Sequence, residues 1–289
     1  MAGEIAEPFQ VLLPILWGQR AAPLLSLADA LGEAGGGRVL GLVEDTGSNS
    51  VGDPAQRRLG FLRWLAGEDY DVSSLARAMP LEVRLTQDPA RSVIEAAAES
   101  RANLIVTEWP GGADARRQRV RRLLASLIGQ TRLSLAMVRL APEDVGRTVV
   151  PRSVLIPVRS GPNAKLAIRI GTALGGLTGA KTTLLHVQDR RQHPDRIERE
   201  ERAFQSLAET AAAGPGHSVL EVSSNDPTGT LLEIAAGFDL VVMGTRLAAQ
   251  APSQLLAAAM SRLMPALRAT VILARSSESP AWAAGRGTG

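Results

Sequence analysis

The chain of 289 residues contains one series of segments twice, and this repetition constrains its fold more than any other feature. "QVLLPI" (Gln10–Ile15) resembles "SVLIPV" (Ser153–Val158), and "RVLGLVE" (Arg38–Glu44) resembles "TTLLHVQ" (Thr182–Gln188). "QDPARSVIEAAAESRANLIVTE" (Gln87–Glu108) resembles "NDPTGTLLEIAAGFDLVVMGT" (Asn225–Thr245), and "LAMVRL" (Leu135–Leu140) resembles "TVILAR" (Thr270–Arg275). The order is the same in both halves, so each half reads as a copy of one folding unit.

Within a copy, short runs of Val, Leu and Ile alternate with longer stretches of helical period. The runs lack strict polar alternation, which marks strands buried on both faces. Helices are expected over Arg20–Ala34 (apolar at Leu24, Leu27, Ala28 and Leu31) and Pro54–Leu65 (Leu59, Leu62 and Leu65). Their counterparts are Asn163–Leu177 (Leu166, Ile170, Ala173 and Leu174) and Pro194–Ala213 (Ile197, Phe204, Leu207 and Ala211). Asp88-Pro89 and Asp226-Pro227 place a capping carboxylate before a proline at the start of a third helix in each copy. Glu95 and Glu233 then fall on exposed helix faces. Strand and helix in alternation give a doubly wound parallel α/β sheet. The domains are expected at 8–142 and 151–276. "APEDVGRTVVPRS" (Ala141–Ser153) is their linker, and 277–289 is a disordered tail.

Composition removes several function classes. There is no cysteine, which excludes disulfides and thiolate metal sites. The histidines are His186, His193 and His217, and they do not cluster at ligand spacing, so no metal site is expected. No nucleophile–base pair stands out, and an enzyme is not expected. Positive charge comes almost wholly from arginine, the lysines being Lys165 and Lys181, and the net charge is only +3. Nucleic acid is not an expected partner: no aromatic residues interleave with the arginines for base stacking. No apolar run reaches the roughly 20 residues of a membrane helix. "MAGEIAEPFQ" lacks the features of a secretory signal, so a cytoplasmic location is expected.

Both copies together resemble a tandem universal stress protein. The segments that convey the resemblance are "VLIPVRSGPNAKLAIRIGTAL", "TTLLHV", "DLVVMGT" and "ATVILAR". The resemblance implies two five-stranded parallel-sheet domains of the adenine-nucleotide alpha-hydrolase-like type. It also implies pairing of domains through the last strand, within the chain or in a homodimer. Many members of the family bind ATP with an Asp after the first strand and a later pattern of Gly, two residues, Gly, nine residues, Gly, then Ser or Thr. In the second copy those pattern positions are Gly244, Leu247, Ala257 and Ala258; in the first they are Glu108, Gly111, Arg121 and Arg122. The Asp position reads Leu16 and Arg159. Glycines admit phosphate to backbone N–H groups, whereas leucine adds bulk and glutamate repels. No cofactor is therefore expected, and ATP or another nucleotide is disfavoured.

Candidate ligand-binding residues remain at the ends of the strands: Pro157, Val158, Arg159, Ser160, Val187, Gly244 and Arg246. Arg159 can hold a phosphate or carboxylate; the alternative is a solvated turn with Asn163 capping a helix. Gly244, Thr245 and Arg246 form either an anion nest or a plain strand-to-loop connection. His186 reads as a strand histidine hydrogen-bonded in the core. The run "ARRQRVRRLL" supplies Arg116, Arg117, Arg119, Arg121 and Arg122, either as a contact patch for an acidic partner or as a solvated loop and helix start. "PVRSGPNAKLAIRIGTAL" and "TEWPGG" further resemble the cytoplasmic stress-protein regions of amino-acid permeases and cation/proton antiporters. That implies a non-enzymatic regulatory or stress-adaptive role through protein contacts, with a membrane transporter as a partner. The alternative is a sensor binding a nucleotide or other anion in the second copy.

Overall fold

A computed structural model describes residues 7–17, 19, 21–44, 53–66, 79–109, 115–144, 149–159, 161–211, 216–245 and 264–278. By compactness the chain divides into Met1–Leu127 with Val145–Val149, and Ile128–Asp144 with Val150–Gly289.

The first unit contains strands β1 (Val11–Leu16), β2 (Gly37–Glu44), β3 (Leu81–Thr86) and β4 (Leu104–Glu108) in the order β3-β2-β1-β4. All three pairings are parallel. β1 is buried along its whole length, as the unbroken apolar run requires. Helices α1 (Ala22–Gly32), α2 (Pro54–Ala66) and α3 (Pro89–Glu99) lie between the strands in sequence, and α4 (Ala115–Gln130) follows β4. α1 starts two residues later than its periodicity suggests, because Pro23 sits in its first turn. Along α2 the buried side is Phe61 and Leu65, whereas Leu59, expected on that side, is 47% exposed.

In the second unit the order is β5-β10-β9-β6-β7-β8. The strands are β5 (Ser134–Arg139), β6 (Ser153–Pro157), β7 (Lys181–Asp189), β8 (His217–Ser224), β9 (Leu240–Gly244) and β10 (Thr270–Arg275). The helices are α5 (Pro162–Thr178), α6 (Pro194–Ala211) and α7 (Pro227–Ala235). Four of the pairings are parallel. The fifth is antiparallel and joins the last strands of the two sequence repeats, from Val271↔Arg139 to Arg275↔Leu135.

Equivalent residues of the two repeats make equivalent hydrogen bonds. Asp88 Oδ1 accepts from the Arg91 N–H at 3.0 Å, and Asp226 Oδ1 from the Gly229 N–H at 3.1 Å. The Thr86 hydroxyl oxygen accepts from the Asp88 N–H and the Ser92 hydroxyl; that of Ser224 accepts from the Asp226 N–H and the Thr230 hydroxyl. Both aspartates are thus helix caps. Asn103 accepts from the Gln10 N–H, and Asp239 from the Ser153 N–H, each tying the turn before one strand to the start of its neighbour.

Two connecting segments are more ordered than their composition suggests. Pro142–Asp144 forms a 3-10 turn, with Asp144 accepting from the Thr270 hydroxyl at 2.5 Å. Val149 is buried, and its N–H donates to the Ser26 hydroxyl. Beyond β10, the Ser277 N–H donates to the Ser134 hydroxyl and the Glu278 N–H to that of Ser276. The rest of the expected tail, 279–289, lies outside the described residues.

Candidate functional site

In the second unit the chain order reverses between β6 and β9, and open α/β sheets bind ligands at such a point, beyond the carboxyl ends of the strands. Pro157 ends β6. Val158 follows it, 1% exposed, and its N–H donates to the Leu185 carbonyl at 2.8 Å. Arg159 is exposed. Val187 is half-buried on β7, opposite Val222 of β8. Gly244 ends β9, and the next N–H, that of Thr245, donates to the Ala274 carbonyl at 2.9 Å. Both of these backbone donors are therefore bonded within the sheet.

Gly244 itself answers to packing. A Cβ there would stand 2.7 Å from the carbonyl carbon and oxygen of Asn163 and 3.0 Å from the Ala164 nitrogen. The glycine lets β9 touch the first turn of α5. Asn163 also departs from the expected cap. The N-cap position is Gly161, at φ 89°, and it makes no side-chain cap bond. Asn163 lies inside the helix, buried, with Oδ1 accepting from the Ser276 N–H at 2.7 Å. An amide that would fit a solvated turn instead fixes the residue after β10 against α5. Ser160, Arg246, Leu247, Ala257 and Ala258 lie outside the described residues, as does Gly111 in the first copy.

Charge collects on the rim beside Arg159. Asp189 ends β7 and accepts from Arg191 Nε at 3.0 Å and Nη2 at 3.2 Å. The Arg191 side chain holds the Asp189 carboxyl below the usual carboxylate range, helped by the Arg191 backbone N–H and by the nearby charge of Arg159. Neither Asp189 nor Arg191 was marked by a motif, because the pairing depends on the turn after β7.

His186 is 2% exposed and stacks on Phe204, with ring centroids 4.8 Å apart and planes 18° apart. Nδ1 faces the Val158 carbonyl at 3.4 Å, while Nε2 is buried without a hydrogen-bond partner among the described residues. Arg275, at the end of β10, is 2% exposed; its Nε and Nη1 have no hydrogen-bond partner among the described residues, and burial pushes its guanidinium pKa down. The first repeat has Leu140 at this position, and that mismatch was the available signal.

The corresponding edge of the first unit is filled by rings. Trp17, directly after β1, lies 5.9 Å from Trp64 with planes 21° apart, and 5.9 Å from Phe61 edge-on. Phe61 and Trp64 meet at 5.1 Å. The Phe61 ring sits on the backbone of β2, where a Cβ on Gly41 would come within 2.8 Å of it. Trp17 keeps 39% exposure. The basic run belongs to α4: Val120, Leu123 and Leu124 are buried, Arg119 is half-buried, and Arg121 and Arg122 are exposed. Arg116 and Arg117 lie in the first turn of that helix, and their side chains are outside the described residues. Among the described residues there is no group of His, Asp and Glu that could hold a metal, and no helix long and apolar enough to cross a membrane.

Against known proteins, no family model matches the chain. It is 24% identical over 250 residues to the Na(+)/H(+) antiporter NhaS5 of Synechocystis, a match that covers 82% of this chain and 34% of the antiporter. The chain thus spans about a third of that relative's length. Among solved structures it resembles the cytoplasmic domain of a prokaryotic cation chloride cotransporter, with a TM-score of 0.60 and 14% identity, over 96% of this chain and 100% of the other. It also resembles a universal stress protein from Archaeoglobus fulgidus, with a TM-score of 0.58 and 12% identity, over 94% of this chain and 98% of the other. The fold is that of universal stress proteins along nearly the whole chain.

Proposed function

We propose that the chain is a non-enzymatic regulatory module made of two stress-protein repeats, which acts through protein contacts on a membrane transporter from the cytoplasmic side. The observation that carries this reading is the pair of transporter likenesses, one by sequence to an antiporter and one by fold to a cotransporter's cytoplasmic domain. The matched hydrogen bonds of the repeats support duplication. The β5–β10 ladder supports pairing of the repeats within one chain. The packing role of Gly244 supports a nucleotide motif that has lost its use. The test is cation flux in everted membrane vesicles from cells lacking the chain. Adding the purified chain changes the rate of sodium- or potassium-coupled proton movement; identical rates with and without it overturn the reading.

A second reading, an anion sensor in the second repeat, is favoured by Arg159 and Arg191 standing around Asp189 at the ligand edge. It separates by thermal shift with ATP, AMP and cyclic dinucleotides. A ligand at a hundred times its Kd would add about 2.7 kcal/mol to folding stability, whereas the regulatory reading expects no shift.

A further inference from the structure

We propose that the outer edge of β8 is a strand-addition surface at which a second copy of this chain pairs antiparallel, β8 to β8, across a two-fold axis. β8 ends the sheet of the second unit, and no described strand pairs with its far side. The direction of its backbone follows from the bonds at its two ends. The Thr182 N–H donates to the Gly216 carbonyl at 3.2 Å, and the Arg190 N–H to the Ser224 carbonyl at 3.0 Å, in a register that sets Thr182 opposite His217. Even-numbered residues therefore turn their backbone groups toward β7. His217, Val219, Glu221 and Ser223 turn theirs outward.

Edge strands are commonly guarded by charges, prolines or bulges. β8, "HSVLEVSS", contains no proline, lysine or arginine and one acidic residue, Glu221. Val219 is 45% and Leu220 38% exposed. The edge strand of the first unit is guarded: β3 carries Glu82 and Arg84, which are tied to each other and to Arg38 and Glu99. The difference lies in the side chains, since both strands end their order.

The occupant follows from charge and register. With Leu220 on the two-fold axis, Val219 lies opposite Glu221 of the second copy and His217 opposite its Ser223. All four outward-facing residues are then paired, and no two charges of like sign are directly opposite. The two Leu220 side chains meet at a non-hydrogen-bonded pair, where side chains approach most closely. Moving the axis to Glu221 sets two carboxylates against each other; moving it to Val219 leaves Ser223 without a partner among the four. The pairing also continues the ladder that β7 and β8 already form.

Sedimentation velocity from micromolar to millimolar chain tests this. The expected result is a concentration-dependent doubling of mass. Val219→Pro abolishes it while leaving the circular dichroism unchanged, because the Val219 N–H takes no part in the β7 ladder. Since the chain has no cysteine, Leu220→Cys alone gives a disulfide-linked dimer on oxidation, in much higher yield than Ser218→Cys or Val222→Cys. A monomer at every concentration, a dimer that survives Val219→Pro, or equal cross-linking at the three positions overturns the proposal. A monomer that takes up an unrelated extended peptide at this edge also overturns it.

Discussion

The carboxyl-end edges of the two units are built on the same strand plan and packed by different means. In the first unit, Trp17, Phe61 and Trp64 form a mutual cluster over the end of β1 and the backbone of β2. In the second, small residues let main chain meet main chain, with Gly244 on the first turn of α5 and Asn163 bonded beyond β10. The lesson is that a glycine at a motif position can also be required by helix packing.

The largest expected effect breaks the aromatic closure. Phe61→Ala removes a fully buried ring and lowers the unfolding free energy by about 3–5 kcal/mol, read by denaturant titration. Trp17 and Trp64 report the same change as altered fluorescence. A loss below about 1 kcal/mol would mean that the cluster is ornamental to the fold.

Next comes the glycine closure. Gly244→Ala places a methyl against the α5 backbone and costs about 1–3 kcal/mol. Gly176→Ala is the control: that exposed helix position has open space and gains up to about 1 kcal/mol from helix propensity. Equal melting temperatures for the two variants would contradict the packing role of Gly244.

Arg275 sharpens the comparison by exchange. Arg275→Leu gives the second repeat the residue of the first, Leu140, and removes buried donors that lack partners. Stability rises by about 1–3 kcal/mol, measured by thermal melt. A fall instead would mean that the guanidinium contributes to stability at this position.

The smallest effect lies on the rim. The folded-state pKa of Asp189 is depressed, so its contribution to stability is present above the ordinary carboxylate value of about 3.9 and is lost as pH falls through the folded value. Asp189→Asn lacks that contribution at neutral pH. The difference in melting temperature between the two proteins therefore shrinks in the acid range. A difference independent of pH would remove the Arg191 pairing as its cause.

Much of the fold was legible because buried parallel strands and Asp-Pro helix starts are local signals, and the chain states each of them twice. "VLLPIL" and "TVILAR" announce strands buried along their length, and Asp88 and Asp226 cap helices as their spacing implies. The site was less legible, because its decisive contacts join residues far apart in sequence. Asn163 reads as a cap until Ser276 is seen beside it, 113 positions away. Gly244 reads as a phosphate glycine, and its contact with α5 is invisible in its own segment. Leu59 fits the helical stripe as well as Phe61 does, and tertiary packing alone decides that the ring goes inside.

The antiparallel ladder between β5 and β10 has a consequence for how the two sequence repeats depend on each other. A lone copy would leave its final strand as a bare edge, to be met by an identical copy. Within this chain each final strand has a permanent and non-identical mate, and Leu140 and Arg275 stand at matched positions with different side chains. Deleting either half would uncover a strand that has no identical partner to pair with.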